Sequence, residues 1–398
     1  MSSTKVIAIV VVALLVVGVL VGGGSYFYVM NRRKNASEEL KNARDLLAND
    51  KADAAISLLK IHISKYSKMP TAPEALFLLA KTLYKQDKSQ SLDLFERLLK
   101  DHPNTPYARQ ALYYKAFAML DKRPIRQETE AFFQELLGNT ENKQAAYVAQ
   151  YGLALAKLED GKYKDARADL DDLMDREVPD ELRSLLENTL GDLNLRLLYS
   201  PELYGDDESY ETQRGDYIYN LAKKFNITQE LLLKCNNISD PKKMGVGQRL
   251  KIPKVNFSIL VDKYNNVLTL NSNGKFFKKY AVRTGAYENQ TPNGDFRIEN
   301  KKKDPRWVNP RTHKMYPAGD PENELGARWM SFQGDMLGVH GAIKPETIGY
   351  YSSFGCVGML KEDIEELFDL IPVGTPLKIV GEMNPEIVEE SRAMGFRE

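Results

Sequence analysis

Two side chains could carry nucleophilic chemistry. Cys356 follows a glycine in the turn Ser352-Ser353-Phe354-Gly355-Cys356, and His340 lies 16 residues upstream, closing the apolar run Met336-Leu337-Gly338-Val339. A thiolate beside an imidazole is the minimum for acyl transfer through a covalent thioester. Gly355 admits close backbone approach, so that main-chain amides can point at an attacked carbonyl. The same two residues in an ordinary core would be a buried thiol and a satisfied histidine, and type and spacing alone leave both readings open. The second cysteine, Cys235, sits amid Leu231-Leu232-Leu233-Lys234 and reads as a small core residue. His62 and His102 lie in helical sequence and read as ordinary helix or loop histidines.

Strands must hold the reactive pair. From Asn256 onward, apolar and polar residues alternate around Asn265-Asn266 and Asn273-Gly274, the pattern of a hairpin meander. Thr291-Pro292-Asn293-Gly294-Asp295-Phe296-Arg297-Ile298 adds a turn feeding another strand. His340 falls at a predicted strand end, and a helix is predicted just after Cys356 at Lys361–Ile371, with Glu362 and Asp363 in its first turn.

His340-Gly341, Gly349, Ser353, Gly355 and Cys356 match, in type and spacing, the signature of the L,D-transpeptidase catalytic domain, and the segments TPNGDFRI and LGARWMSF are also similar. The resemblance covers about Asn256 to Val380. It implies a mainly-β domain with Cys356 as nucleophile, His340 as base and the Gly341 carbonyl orienting the imidazole. It further implies an oxyanion hole from the amides near Gly355 and Cys356, with Gly349 and Ser353 as supporting positions. Two positions depart from the family: Phe354 stands where a histidine is frequent, and Gly358 where an arginine is common two residues after the cysteine. Lys344, Arg328 and Arg283 are the candidates to supply that charge.

Upstream, Ser209–Pro253 reads as strand, helix, helix, strand and closely resembles a LysM module, in its Arg214-Gly215-Asp216 start, Asn236-Asn237 and Gly247-Gln248 ending. That resemblance implies binding of peptidoglycan glycan strands. From Ser37 to about Ser200, leucine, alanine and tyrosine recur at helical spacing. Small or apolar residues lie twelve apart at Ala43/Ala55, Ala80/Leu92 and Ala154/Ala166, and Pro73-Glu74-Ala75 is echoed 33 residues later by Pro106-Tyr107-Ala108. The segment resembles tetratricopeptide repeats, which imply a solenoid with a concave surface for a protein partner. Val6 to Met30 carries no charge over 25 residues, longer than the roughly 20 needed to span a bilayer core. Tyr26 and Tyr28 sit near its end and Arg32-Arg33-Lys34 close it, so an uncleaved anchor is predicted. By charge alone those cations favour a cytoplasmic C-terminus; substrates outside the membrane demand the reverse.

Composition narrows the rest. Lys plus Arg is 55 and Asp plus Glu is 55, and a net charge of zero argues against nucleic-acid binding. Two cysteines and four histidines offer no disulfide scaffold and no metal-ligand spacing, so no metal or cofactor is expected. The expected architecture is a cytoplasmic tail and transmembrane helix over 1–35, an all-α tetratricopeptide-like solenoid over 36–200 and a linker at 201–207. A βααβ LysM module over 208–254, a mainly-β catalytic domain over 255–382 and a C-terminal tail over 383–398 follow. The expected activity is cross-linking of peptidoglycan stem peptides in the periplasm or wall. The competitors are an L,D-carboxypeptidase, attachment of a protein amine, and a non-catalytic wall-binding scaffold.

Overall fold

In this computed structural model, residues 3–138, 142–309 and 312–396 are described, with side chains from residue 25 onward. The chain forms two compact units, residues 1–162 and 163–398. The first unit is helical: α1 (Ser3–Ala48), α2 (Ala52–Lys65), α3 (Ala72–Leu83), α4 (Lys88–Asp101), α5 (Pro106–Leu120), α6 (Gln127–Leu137) and α7 (Lys143–Glu159). Helices α1 to α5 pack each on the next, as does α6 on α7, while α5 packs on α7; small residues allow the close approach, and Ala43, Ala55 and Ala80 are fully buried. Helix starts are set locally. Pro73 and Pro106 occupy first turns, where the missing N–H is harmless, and Asp87 and Thr105 cap α4 and α5 through Gln90 N (2.9 Å) and Ala108 N (3.2 Å). The 33-residue echo is a contact: Tyr107 donates its hydroxyl to Glu74 Oε2 at 2.8 Å.

The predicted anchor, Val6–Met30, lies mostly on residues whose side chains are outside those described; its backbone belongs to α1. Among the described residues no helix is long and apolar enough to cross a membrane.

The second unit begins with α8 (Tyr163–Met174) and α9 (Asp180–Tyr199). These helices, placed with the solenoid by sequence, share this unit because α9 lies on the catalytic sheet, where buried Asn194 donates to Phe277 O at 2.8 Å. Strands β1 (Glu208–Glu211) and β2 (Arg249–Ile252) pair antiparallel around α10 (Ile218–Lys224) and α11 (Gln229–Lys234). Cys235, just past α11, is fully buried, and burial pushes its thiol up to about 12. Lys251 on β2 is also buried; its ammonium donates to Leu197 O (2.9 Å), Leu198 O (3.2 Å) and Ser200 O (2.9 Å) and pairs with Asp207 at 3.1 Å. It thereby ties the βααβ module to the C-terminus of α9, whose last carbonyls lack intrahelical partners.

The catalytic strands are β3 (Phe257–Asp262), β4 (Val267–Ser272), β5 (Lys275–Gly285), β6 (Gly294–Arg297), β7 (Asn300–Lys303), β8 (Trp307–Val308), β9 (Met315–Tyr316), β10 (Arg328–Gln333), β11 (Leu337–Gly341), β12 (Tyr351–Ser353), β13 (Val357–Met359) and β14 (Pro376–Val380). One sheet runs β6-β14-β3-β4-β5-β13-β11-β10-β7, with β12 beside β5 and β8-β9 as a separate hairpin. Asn266, Asn273 and Gly274 take the positive φ (49°, 52° and 78°) that tight hairpins require, which is why those pairs read as turns. Helix α12 (Lys361–Leu370) buries Ile364, Leu367 and Phe368 against β10 and β11. The expected tail is structured as α13 (Pro385–Ala393): buried Ser391 accepts Tyr351 N at 3.0 Å, so this helix supports the strand that leads to the cysteine turn.

Candidate active site

Register alone assembles the site. On adjacent strands, Lys302 (β7) pairs with Trp329 (β10), Trp329 with His340 (β11), His340 with Gly358 (β13), and Gly358 with Arg283 (β5). Residues paired across a sheet share a face, so Lys302, Trp329, His340 and Arg283 project to one side. Cys356, two residues before Gly358, faces the same way by strand alternation. These five side chains line a single cavity of about 930 Å³, walled further by Trp307 and Glu324 from the 304–327 segment and by Phe354.

His340 is buried, its ring stacks on Trp329 (6.0 Å between centroids), and its Nδ1 lies 2.8 Å from Gly341 O. A carbonyl only accepts, so Nδ1 carries the hydrogen and Nε2 keeps a free lone pair. Burial first and the Arg283 charge second together bring the imidazole down to about 3, against the opposing pull of the Gly341 and Glu324 backbone. Cys356 is half-buried, with Sγ 4.0 Å from Met336 O. Burial raises its thiol, opposed by a backbone hydrogen bond from Gly338 and by Arg283. The resting pair is therefore neutral: a thiol and an unprotonated imidazole lining one cavity.

The turn before the cysteine is locked from both sides. Gly355 has φ +124°, and a Cβ there would fall 2.4 Å from Gln290 O. Thr291 donates its hydroxyl to Gly355 O (2.8 Å) while accepting from Gly285 N (2.9 Å). Ser353 donates to Cys356 O at 2.6 Å and accepts the Gly355 amide at 3.1 Å. Gly355 N–H, expected among the oxyanion donors, is thus engaged by Ser353. Gly349 sits in a turn at φ +92°, its amide bonded to Val282 O at 3.0 Å. Of the three cations considered for the missing arginine, Arg283 alone lines the cavity. Arg328 projects from the opposite face, over the Phe368 ring, and Lys344 is exposed outside the lining. Trp329, Glu324 and the clamping role of Thr291 were not singled out from sequence, although Trp329 and Thr291 lie in the LGARWMSF and TPNGDFRI segments.

A thiol on a rigid glycine turn, sharing a cavity with an imidazole whose Nδ1 is held by a carbonyl, defines a cysteine acyl-transfer site on a β scaffold. Sequence models match the chain in three places: the L,D-transpeptidase catalytic domain over residues 256–379, the LysM domain over 210–253 and a tetratricopeptide repeat over 74–105. Bacillus subtilis YkuD, named as an L,D-transpeptidase, is 30% identical over 177 residues, covering 43% of this chain and 98% of that protein. Bacillus subtilis YqjB, named likewise, is 33% identical over 143 residues, 34% of this chain and 79% of its own length. An L,D-transpeptidase structure from Mycobacterium smegmatis aligns with a TM-score of 0.28 at 21% identity, over 34% of this chain and 65% of that one. The chain belongs to the L,D-transpeptidase family.

Proposed function

We propose that the protein is a peptidoglycan L,D-transpeptidase anchored in the bacterial cytoplasmic membrane, with its C-terminal domains outside. The observation that carries the chemistry is the 2.8 Å contact of His340 Nδ1 with Gly341 O, which leaves the Nε2 lone pair as the proton acceptor in the cavity that also holds Cys356. Nε2 takes the thiol proton as Sγ attacks the carbonyl of the third stem residue. On collapse the C–N bond to the terminal D-residue breaks, and the imidazolium gives its proton to the departing amine. The acyl group stays on Cys356 as a thioester. A side-chain amine of a second stem attacks that carbonyl, Sγ leaves, and the proton released returns through His340 to the thiol. With Gly355 N–H engaged, the Cys356 amide is the candidate oxyanion donor at the turn.

The LysM module brings the enzyme to glycan strands, and the uncharged segment at residues 6–30 provides the anchor. Exported substrate places the N-terminus in the cytoplasm and the catalytic unit in the periplasm or wall. A reporter fused after the last residue and active only in the cytoplasm would refute that orientation.

Mass spectrometry tests the chemistry. The full chain incubated with a carbapenem, or with tetrapeptide muropeptides, should gain an adduct on Cys356, and Cys356→Ala should lose both adduct and cross-linked product while unfolding normally. Cross-linking by Cys356→Ala overturns the assignment, and products hydrolysed without cross-links identify a carboxypeptidase.

A further inference from the structure

We propose that Arg283 is the fixed cation of this active site: reaching from β5 across the bare Gly358, its guanidinium meets negative charge developing at Cys356. It acts through the cysteine and is a positioning residue. The proposal rests on the family reading above and deepens it.

Gly358 stands between His340 and Arg283 in the row of paired residues, and strands in a sheet lie about 4.8 Å apart. A side chain at 358 would fill the space between them. Arg283 occupies it instead: a Cβ built on Gly358 would lie 2.5 Å from Arg283 Nε and 2.7 Å from its Cγ. With Arg283 in this place, a side chain at 358 fits only if the arginine moves. The guanidinium is buried at 5% exposure yet poorly satisfied. Nη1 reaches Thr347 Oγ1 only at 3.4 Å, Nη2 stands 3.8 Å from Glu324 Oε2, and Nε has no hydrogen-bond partner among the described residues. A buried cation is normally paired closely with an anion. This one keeps its carboxylate at arm's length and faces the reactive cavity.

The other charged groups around the cavity do not replace it. Lys302 and Asp335 pair with each other at 3.2 Å, both largely exposed, Arg306 lies on the loop wall, and His340 is neutral. Arg283 depresses both the Cys356 thiol and the His340 imidazolium. It thus stabilises negative charge on Sγ and makes the imidazolium a transient proton carrier rather than a resting state.

The test is alkylation of Cys356 by iodoacetamide across pH in the full chain, read by peptide mass spectrometry; fully buried Cys235 serves as the unreactive reference. Arg283→Gln should move the midpoint of the profile up by about one unit, a roughly tenfold slower reaction at pH 7.5. Arg283→Ser should do the same, and Arg283→Ser/Gly358→Arg, which returns the charge from the neighbouring strand, should restore the wild-type midpoint. A wild-type midpoint in Arg283→Gln overturns the proposal, as does a double variant no better than Arg283→Ser. Should the neutral variants unfold, Arg283→Lys and the double variant decide: charge requires both to keep the wild-type midpoint, whereas a role in shape alone moves both. Alkylation needs no peptidoglycan. Absent cross-linking with these shifts intact would count against the substrate and leave the cation standing.

Discussion

Burial of His340 should make the catalytic unit acid-sensitive in a defined window. The imidazole sits at about 3 in the fold against 6.5 in an unfolded chain, with burial as the main cause. Above pH 6.5 both states are neutral and the residue leaves stability unchanged. As pH falls below 6.5 the unfolded chain takes a proton that the folded site refuses, so stability drops until about pH 3. Between pH 7 and pH 4.5 that difference is about 2–3 kcal/mol, since pH 4.5 lies about two pH units below the unfolded value, at roughly 1.4 kcal/mol per unit. His340→Gln removes the titration. Urea unfolding followed by tryptophan fluorescence suits the measurement, because the two tryptophans, Trp307 and Trp329, both belong to the catalytic unit. The loss of stability from pH 7 to pH 4.5 should be smaller by about 2–3 kcal/mol in His340→Gln than in wild type. Other acid-titrating groups cancel in the comparison. Equal losses in both proteins would show that the buried imidazole accepts its proton in place, and the neutral-pair argument would fail.

Two further substitutions test the scaffold. Gly355→Ala puts a Cβ 2.4 Å from Gln290 O at φ +124°, so strain and overlap together should destabilise by about 2–5 kcal/mol and slow alkylation of Cys356; unchanged stability and labelling would show that the turn yields freely. Lys251→Met strips three carbonyls and Asp207 of their buried ammonium and should cost about 3–5 kcal/mol in urea unfolding, with faster proteolysis between residues 200 and 208; an unaltered digest would mean the module stays docked without it.

The reactive pair and its strand scaffold were legible because their signals are local. Asn266 and Asn273-Gly274 encode turns through positive φ, and Gly341 can serve His340 because it is the next residue. Arg283 was legible only as one of three candidates: its closeness to Cys356, 73 positions later, follows from the β5-β13 register, which no local pattern encodes. Thr291 and Trp329 stand in segments already noticed, but their work on the Gly355 carbonyl and the imidazole ring depends on strands brought together late in the fold. The same reason hid α9 and α13. The sequence of α9 says helix, that of α13 reads only as a tail, and only tertiary packing says which surface each one covers.

That packing bears on how wall binding and catalysis are coupled. Leu195 and Leu198 of α9, Leu221, Leu231 and Ile252 of the LysM module, and Phe257, Leu268 and Leu367 of the catalytic part all belong to one buried cluster. Polar contacts reinforce the joint: Lys234 pairs with Asp369 at 2.8 Å, Lys303 with Glu230 at 2.7 Å, and Thr228 bonds the Asp369 carbonyl. A module joined by a flexible linker would raise only the local concentration of substrate. One whose core continues into the catalytic sheet cannot reorient without exposing that apolar surface, so it holds a fixed orientation relative to the Cys356 cavity.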